Sequence, residues 1–331
     1  MADDFEKAVL FSFDQTGAVS SALKEQVSAF LDNIKQGPNC FQLCLSRFSV
    51  SQYPEVKFWC LQTLHEMLKN QYASMQAPEQ NHMRGVLAHW LVTDCPDPAM
   101  PHFLKNKVVQ LVLELLRVDY PSSWPSFFHD LVSTLGQGPG MVDMFARVML
   151  QLDEEIISME VPRSQEEGAT SMRVKDAIRE SCIGLLVDTV HKAVLNYQES
   201  APALAGNLLE VFSRFIIWVD IGLVANEHWM SLLVGSLSSP SEAVRSGALD
   251  CVLQVVGKRM DVRAKLELIQ QLSLVHLVGR LGAKRDPDDG VALKVATLIN
   301  ALGKELLDVW KAADPKESSK GGSNDSLLGM E

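Results

Sequence analysis

Apolar and polar positions alternate along this chain with a helical period almost from end to end. From Pro54, the apolar residues Val56, Trp59, Cys60, Leu64, Met67 and Leu68 fall three and four apart, the spacing that lines one face of an α-helix. From Pro101, Leu104, Val108, Leu111, Val112, Leu115 and Leu116 repeat it. From Pro240, Val244, Ala248, Cys251, Leu253, Val255 and Val256 roughly repeat it. No stretch alternates in the strict two-residue rhythm of a strand. Each long helix is expected to open at its proline, whose missing N–H is harmless in a first turn. Each also follows a shorter apolar helix across a brief break, at Cys40–Phe48, Glu79–Val92 and Glu227–Leu237.

The unit is therefore a short helix, a turn and a longer helix. It recurs about every 40 residues, the period of HEAT and armadillo arrays. Pro240-Ser241-Glu242-Ala243-Val244-Arg245-Ser246-Gly247-Ala248 fits the second helix of a HEAT unit best. Seven pairs are expected, at 3–35, 38–72, 78–119, 121–158, 171–219, 223–258 and 261–312. The fold class is all-α, a right-handed α-solenoid of HEAT-type antiparallel pairs. Neither helix of such a pair buries its apolar stripe alone, so neighbours must stack. Acidic residues from Asp153 to Glu167, with Pro162 and Gly168, read as a longer surface loop. Beyond Trp310 the segment Asp314 to Ser326 lacks core-forming residues, and 313–331 is expected to be a disordered polar tail. The last helix, Gly290–Trp310, has no polar closing repeat after it, so the chain reads as the first section of a longer array.

Composition narrows function by exclusion. A net charge of −11 over 331 residues means that any contact with nucleic acid must come from a local basic patch. One candidate runs from Lys258 to Arg285. Its basic residues are Lys258, Arg259, Arg263, Lys265, Arg280, Lys284 and Arg285, against Asp261 and Glu267. Phosphate neutralisation is the main requirement of shape-based RNA recognition, although ordinary turn charge looks the same. The six cysteines, Cys40, Cys44, Cys60, Cys95, Cys182 and Cys251, form no Cys-x-x-Cys and read as reduced thiols. No metal site or cofactor is expected. Phe215–Leu237 is too interrupted by polar residues to span a membrane, and the acidic start is no signal peptide. Gly136-Gln137-Gly138-Pro139-Gly140 lacks the lysine of a phosphate loop and reads as a turn. No nucleophile elbow or zinc-protease motif appears, so the chain is not expected to be an enzyme. Trp124, Phe127, Phe128, Tyr197, Trp218 and Trp229 are expected in the core between repeats.

Leu104-Lys105-Asn106-Lys107-Val108-Val109-Gln110-Leu111, followed by Tyr120-Pro121-Ser122-Ser123-Trp124-Pro125-Ser126-Phe127-Phe128, resembles the exportin branch of the importin-β (karyopherin) superfamily. Val56–Leu64, Val142–Val148, Arg173–Cys182 and Trp218–Asn226 narrow the resemblance to the N-terminal portion of the exportin-T family, over about residues 3 to 275. The resemblance implies a nuclear export receptor that shuttles between nucleus and cytoplasm. It implies RanGTP bound by the inner helices of the first repeats, folded tRNA as cargo, contact with FG-repeat proteins of the nuclear pore, no membrane insertion and a monomeric state. On this reading residues 1–119 are the Ran-binding pairs and 120–312 the exportin-like pairs. Two polar strips opposite the apolar stripes then become Ran-facing candidates: Glu55, Gln62, Glu66 and Lys69, and Asn106, Gln110, Glu114 and Arg117. A generic HEAT scaffold, organising a protein complex without Ran or RNA, fits the same periodicity.

Overall fold

The computed structural model describes residues 2–158, 161–282 and 289–313. Among these the chain is helical and carries no strand. It divides into two compact units, residues 1–178 and 179–331.

In the first unit, α1 (Asp4–Ser12) and α2 (Ser21–Gln36) form the first pair, and α3 (Cys40–Val50) and α4 (Pro54–Gln71) the second. The third pair is α5 (Ala77–His89) and α6 (His102–Asp119), and α7 (Phe127–Ser133) and α8 (Pro139–Leu152) follow in the span expected for the fourth. The second helices stack, α4 on α6 and α6 on α8. Their apolar stripes make the core: Val56, Cys60 and Leu64 of α4 and Val108, Leu111, Val112 and Leu115 of α6 are wholly buried. Helix α9 (Gln165–Ser181) closes the unit with Val174 and Ile178 buried.

Proline opens α4 at its first residue. For the third and sixth pairs the expectation shifts slightly, since Pro101 is the residue before α6 and Pro240 stands two residues before α14 (Glu242–Gly257). A proline just outside the first turn still fixes where the helix begins, because its ring excludes helical geometry from the residue before it. The acidic loop is also shorter than expected. Asp153–Ile157 continues α8 as a wider π-type turn, and Glu166 and Glu167 fall in the first turn of α9. Carboxylates suit that position because a helix N-terminus is electropositive. The glycine-rich stretch is the expected turn: Gly138 takes φ 126 and Pro139 starts α8. Gly140 lies so close to the preceding loop that a Cβ there would stand 2.3 Å from the Pro96 carbonyl oxygen.

In the second unit, α10 (Ile183–Tyr197) pairs with α11 (Pro202–Ile216), and after the short α12 (Ile221–Val224), α13 (Glu227–Ser236) pairs with α14. Two expected pairs turn out to have three helices. The span 171–219 contains α9, α10 and α11, divided at Cys182, whose φ of −146 breaks the helix with no proline to announce it. The span 261–312 contains α15 (Val262–Gln271), α16 (Leu274–Gly282) and α17 (Asp289–Ala313). Ser273, at a left-handed φ of 48, separates α15 from α16.

Helices α11 and α14 meet through glycine. A Cβ on Gly247 would come within 2.7 Å of the Leu209 Cβ, and one on Gly206 within 3.0 Å of the Ala243 Cβ. Arg245, the arginine of the HEAT-like stretch, turns back to donate to the carbonyls of Ser239 and Pro240, each at 3.0 Å. It therefore fixes the turn into α14. Phe212 stacks flat on Trp229, with ring centroids 3.3 Å apart.

Phe127, Phe128, Trp218 and Trp229 are buried as expected. Trp124 and Tyr197 are only half-buried, because each sits at a helix–loop junction rather than on a stripe. All six cysteines are buried free thiols. Burial pushes the Cys95 thiol up to about 12, and burial with the neighbouring Cys44 sulfur pushes Cys40 up to about 12 as well, so both are poor nucleophiles at neutral pH. The tail from residue 314 onward lies outside the described residues.

Candidate functional site

Helical spacing places the two polar strips side by side on α4 and α6. The structure gathers most of their members into two neighbouring clusters, one on Glu66 and one on His65. Gln62 donates to Glu66 at 3.1 Å, and Lys35 of α2 reaches the other Glu66 oxygen at 3.1 Å. Between α4 and α6 stands His65. Lys107 Nζ lies 2.6 Å from its Nδ1, and Glu114 Oε1 lies 3.3 Å from its Nε2. An ammonium group only donates, so Nδ1 accepts and the ring proton sits on Nε2, facing the carboxylate. Lys107 also donates to Gln110 at 3.2 Å. Arg117 continues the row, with Nε 3.7 Å from Glu114 and Nη2 3.0 Å from the Glu155 carbonyl beyond α8.

The row therefore runs across four successive elements: α2, α4, α6 and the turn after α8. Its charges alternate, and burial sharpens them. Lys107 is held below the ordinary lysine range by burial, partly offset by the negative charges of Glu155, Glu66 and Glu114. Burial pushes Glu114 up, but the hydrogen bond from His65 and the charge of Arg117 outweigh it, and its carboxyl is held low. Burial raises Glu155, against the lowering charge of Arg117. Charges alternating in this way orient one another and present fixed donors and acceptors to whatever covers them.

Three candidates differ from this pattern. Glu55 is exposed in the first turn of α4, and Lys69 is exposed in its last turn. Asn106 is exposed but belongs to a separate cluster, built on Arg147 of α8. That guanidinium donates to Asp143 at 2.8 Å and Asn106 at 2.7 Å, and lies 2.7 Å from His102 Nδ1. The periodicity of α4 and α6 does not single out His65, Lys107 or Arg147. His65 and Lys107 sit at the edges of apolar stripes, where sequence alone does not separate a core-flanking polar residue from a network member.

The basic segment divides into residues with different work. Lys258 Nζ donates to the carbonyls of Ile216 at 2.6 Å and Ile217 at 3.2 Å, and so closes the C-terminal end of α11. Its ammonium is held below the usual range by burial, partly offset by Asp220. Lys265, 4% exposed, donates to the carbonyls of Val256 and Lys258 at the end of α14, and stands 3.4 Å from Glu305. Both ammonium groups thus spend two of their three donors on helix-end carbonyls. Arg259 and Arg263 are exposed. Arg280 lies on α16, and Lys284 and Arg285 lie outside the described residues.

This capping recurs. Arg173 donates to the Arg117 carbonyl at the end of α6. Arg179 donates to the Trp218 carbonyl at 2.7 Å, beyond α11. The last carbonyls of a helix have no partner within it, and its C-terminal end is electronegative. Cations reaching across from other helices supply both needs. Sequence reasoning misses the caps made by Lys258, Arg173 and Arg179 because each donor lies 39 to 56 residues from its carbonyl.

No group of three or more His, Cys, Asp or Glu side chains among the described residues is placed to hold a metal ion, and none of the described helices is long and apolar enough to cross a membrane. A surface hollow of about 460 Å³ in the second unit lies between α10 and α13 and is lined by His191, Gln198, Glu227 and His228 among others.

Known proteins resemble this chain over most of its length. The family described as Exportin 1-like protein matches residues 101–252, from the start of α6 into α14. Exportin-T of Arabidopsis thaliana is 37% identical over 98% of this chain and 33% of its own length. Exportin-T of Dictyostelium discoideum is 32% identical over 92% of this chain and 27% of its own, and human exportin-T is 29% identical over 88% and 30%. The chain thus spans about a third of the length of the curated relatives it matches. By sequence, this chain is a homologue of exportin-T proteins, aligned with that of Arabidopsis thaliana over 98% of its residues.

Proposed function

We propose that this chain is a segment of a nuclear export receptor, that the row on α4 and α6 binds RanGTP, and that the second unit contributes to holding tRNA. The relation to exportin-T over 98% of the chain is the observation that carries the reading. The site chemistry supports it. Glu66, Glu114, Lys107 and Arg117 alternate in sign and are held in place by neighbours on other elements. Such a surface is already ordered before its partner arrives, which lowers the entropy lost on binding. Exposed Glu55 and Lys69 flank the row and add charges for steering. Within the basic segment, Arg259 and Arg263 are described cations exposed to solvent and open to phosphate. The protein acts as a binding receptor rather than an enzyme, shuttles between nucleus and cytoplasm, meets FG-repeat proteins at the pore and works as a monomer.

A GTPase's γ-phosphate orders its switch loops, so a rigid surface complementary to the ordered loops separates the two nucleotide states by differential affinity. The chain is expected to retain Ran loaded with a non-hydrolysable GTP analogue at least about tenfold better than RanGDP, equivalent to about 1.4 kcal/mol. Reversing the two exposed flanking charges, Glu55→Lys with Lys69→Glu, is expected to weaken RanGTP binding and its salt dependence without changing helix content. Equal retention of both nucleotide forms would leave a HEAT-type scaffold with another partner as the better account.

A further inference from the structure

Lys107 stands in the charged row with its neighbours in a definite order. Its Nζ lies 2.6 Å from Nδ1 of His65, and Nε2 of the same ring lies 3.3 Å from Glu114 Oε1. The other Glu114 oxygen faces Arg117 Nε at 3.7 Å, so the carboxylate is held from both sides. His65 comes from α4 and the other members from α6, and the stacking of these helices brings them together. An amine, a ring nitrogen free to accept its proton and a carboxylate on the opposite ring nitrogen follow a known order. It is that of an activated nucleophile, its base and the group that orients the base. Lys35, Lys192 and Lys294 each meet a carboxylate instead.

The surroundings of the amine favour the same chemistry. Lys107 is 8% exposed. Burial holds its ammonium below the ordinary lysine range, against the opposing charges of Glu155 beyond α8, Glu66 of α4 and Glu114 of α6. The other cations of the row are Lys35 of α2, Lys69 of α4 and Arg117 of α6. A lysine lowered in this way is a neutral amine for a larger share of the time at neutral pH, and the neutral amine is the nucleophile. Glu114 is held low and stays charged, so it stabilises the imidazolium that forms when Nδ1 takes a proton.

We propose that Lys107 is a site of acylation by small acyl thioesters, with His65 as its general base and Glu114 as the positioning residue of that base. Lys107 gives its first proton to solvent by way of Nδ1. The free amine then attacks the thioester carbonyl. The N–C bond forms, the C–S bond breaks, and a second proton passes through Nδ1 to the departing thiolate. The products are an amide, a thiol and one released proton. The amide keeps one N–H for Nδ1 but carries no charge, which leaves Glu66, Glu114 and Glu155 without that cation. The reactivity is independent of any partner; only an effect of acylation on RanGTP binding rests on the function proposed above.

The test treats the full chain with S-acetyl-N-acetylcysteamine and follows acetylation of each lysine by peptide mass spectrometry across a pH series. At neutral pH Lys107 is expected to react at least about tenfold faster than the exposed Lys69, a conservative share of what a positioned base contributes. Its rate should also level off at a lower pH than that of Lys69. His65→Gln should slow Lys107 at least about tenfold and leave Lys69 unchanged. Glu114→Gln should lower the Lys107 plateau yet move it to lower pH, because a carboxylate that supports the ammonium is gone. A merely loosened fold would move the plateau the other way, towards an ordinary lysine. In urea the two lysines should react alike. Three results would overturn the proposal: Lys107 no faster than Lys69 in the folded chain, His65→Gln as reactive as the parent, or an advantage for Lys107 that persists in urea.

Discussion

Replacing Asp119 by alanine is expected to destabilise the first unit by about 3–5 kcal/mol, the cost of removing one partner from a buried ion pair. Asp119 closes α6 and is 2% exposed. Its carboxylate accepts from the Tyr72 hydroxyl and pairs with Arg84 Nη1 at 2.9 Å. Burial and the hydrogen bond to Asp119 push the Tyr72 phenol upward, so Tyr72 stays a donor at any working pH. The Asp119 backbone carbonyl also receives Ser123 N at 2.7 Å and Trp124 N at 3.1 Å, which sets the turn towards α7. The substitution therefore strands a guanidinium and a hydroxyl in a site built around a negative charge, and stranded polar groups cost more than the pair contributes. With a denaturant slope of about 2 kcal/mol/M, the urea midpoint of this unit should fall by about 2 M. Asp119→Asn, which keeps an acceptor for Tyr72 but loses the charge, should fall between wild type and alanine. Hydrogen exchange resolves the unit concerned: the core of α4 and α6 should lose protection while α11 and α14 keep theirs. An unchanged midpoint for both variants would mean that Arg84 finds solvent at no cost.

That triad also shows where reading the sequence stops. The apolar stripes of α4, α6 and α14 are legible because core burial imposes a 3.6-residue period on every turn. Helix pairs and their approximate spans follow from those stripes, whereas the exportin resemblance rests on particular motifs, Leu104–Phe128 first among them, that periodicity does not supply. The triad is assembled from three helical segments 47 residues apart at its extremes, and no local pattern records such a meeting. The same holds for Lys107 and His65, which are 42 residues apart.

Helix breaks are legible only where proline or glycine marks them. Cys182 and Ser273 interrupt helices without either. There the packing of the following helix sets the break, so the fifth and seventh units each hold an extra helix. The candidate row on α4 and α6 is legible in outline because polar positions opposite a stripe are predictable. Its internal bonding is not, and that bonding divides the candidates into exposed flanks, Glu55 and Lys69, and members held by other helices, such as Glu114 and Arg117.

The basic segment of the second unit gives the other large expected effect, because its cations divide into two populations that respond oppositely to substitution. Lys265→Met keeps the length and apolar stem of the side chain and removes only the charge. It leaves the carbonyls of Val256 and Lys258 without their donor and Glu305 without its partner. Each buried acceptor left unpaired costs roughly 1–3 kcal/mol, and the electronegative end of α14 loses its compensating cation. The second unit should therefore unfold earlier, with α14 and α15 losing hydrogen-exchange protection first. Arg259→Glu with Arg263→Glu should leave that stability within about 0.5 kcal/mol, the usual range for exposed substitutions. Under the proposed role in holding tRNA, the same double reversal should lower affinity and reduce the slope of log affinity against log salt by about one for each phosphate that is no longer neutralised. Lys265→Met, measured below its own unfolding transition, should bind tRNA as the parent does. If instead Lys265→Met weakens tRNA binding while the second unit keeps its stability, its ammonium is a phosphate ligand and the capping role assigned to it fails. If the double arginine reversal changes neither affinity nor slope, these two arginines are solvated surface, and the phosphate-binding cations of the second unit lie elsewhere.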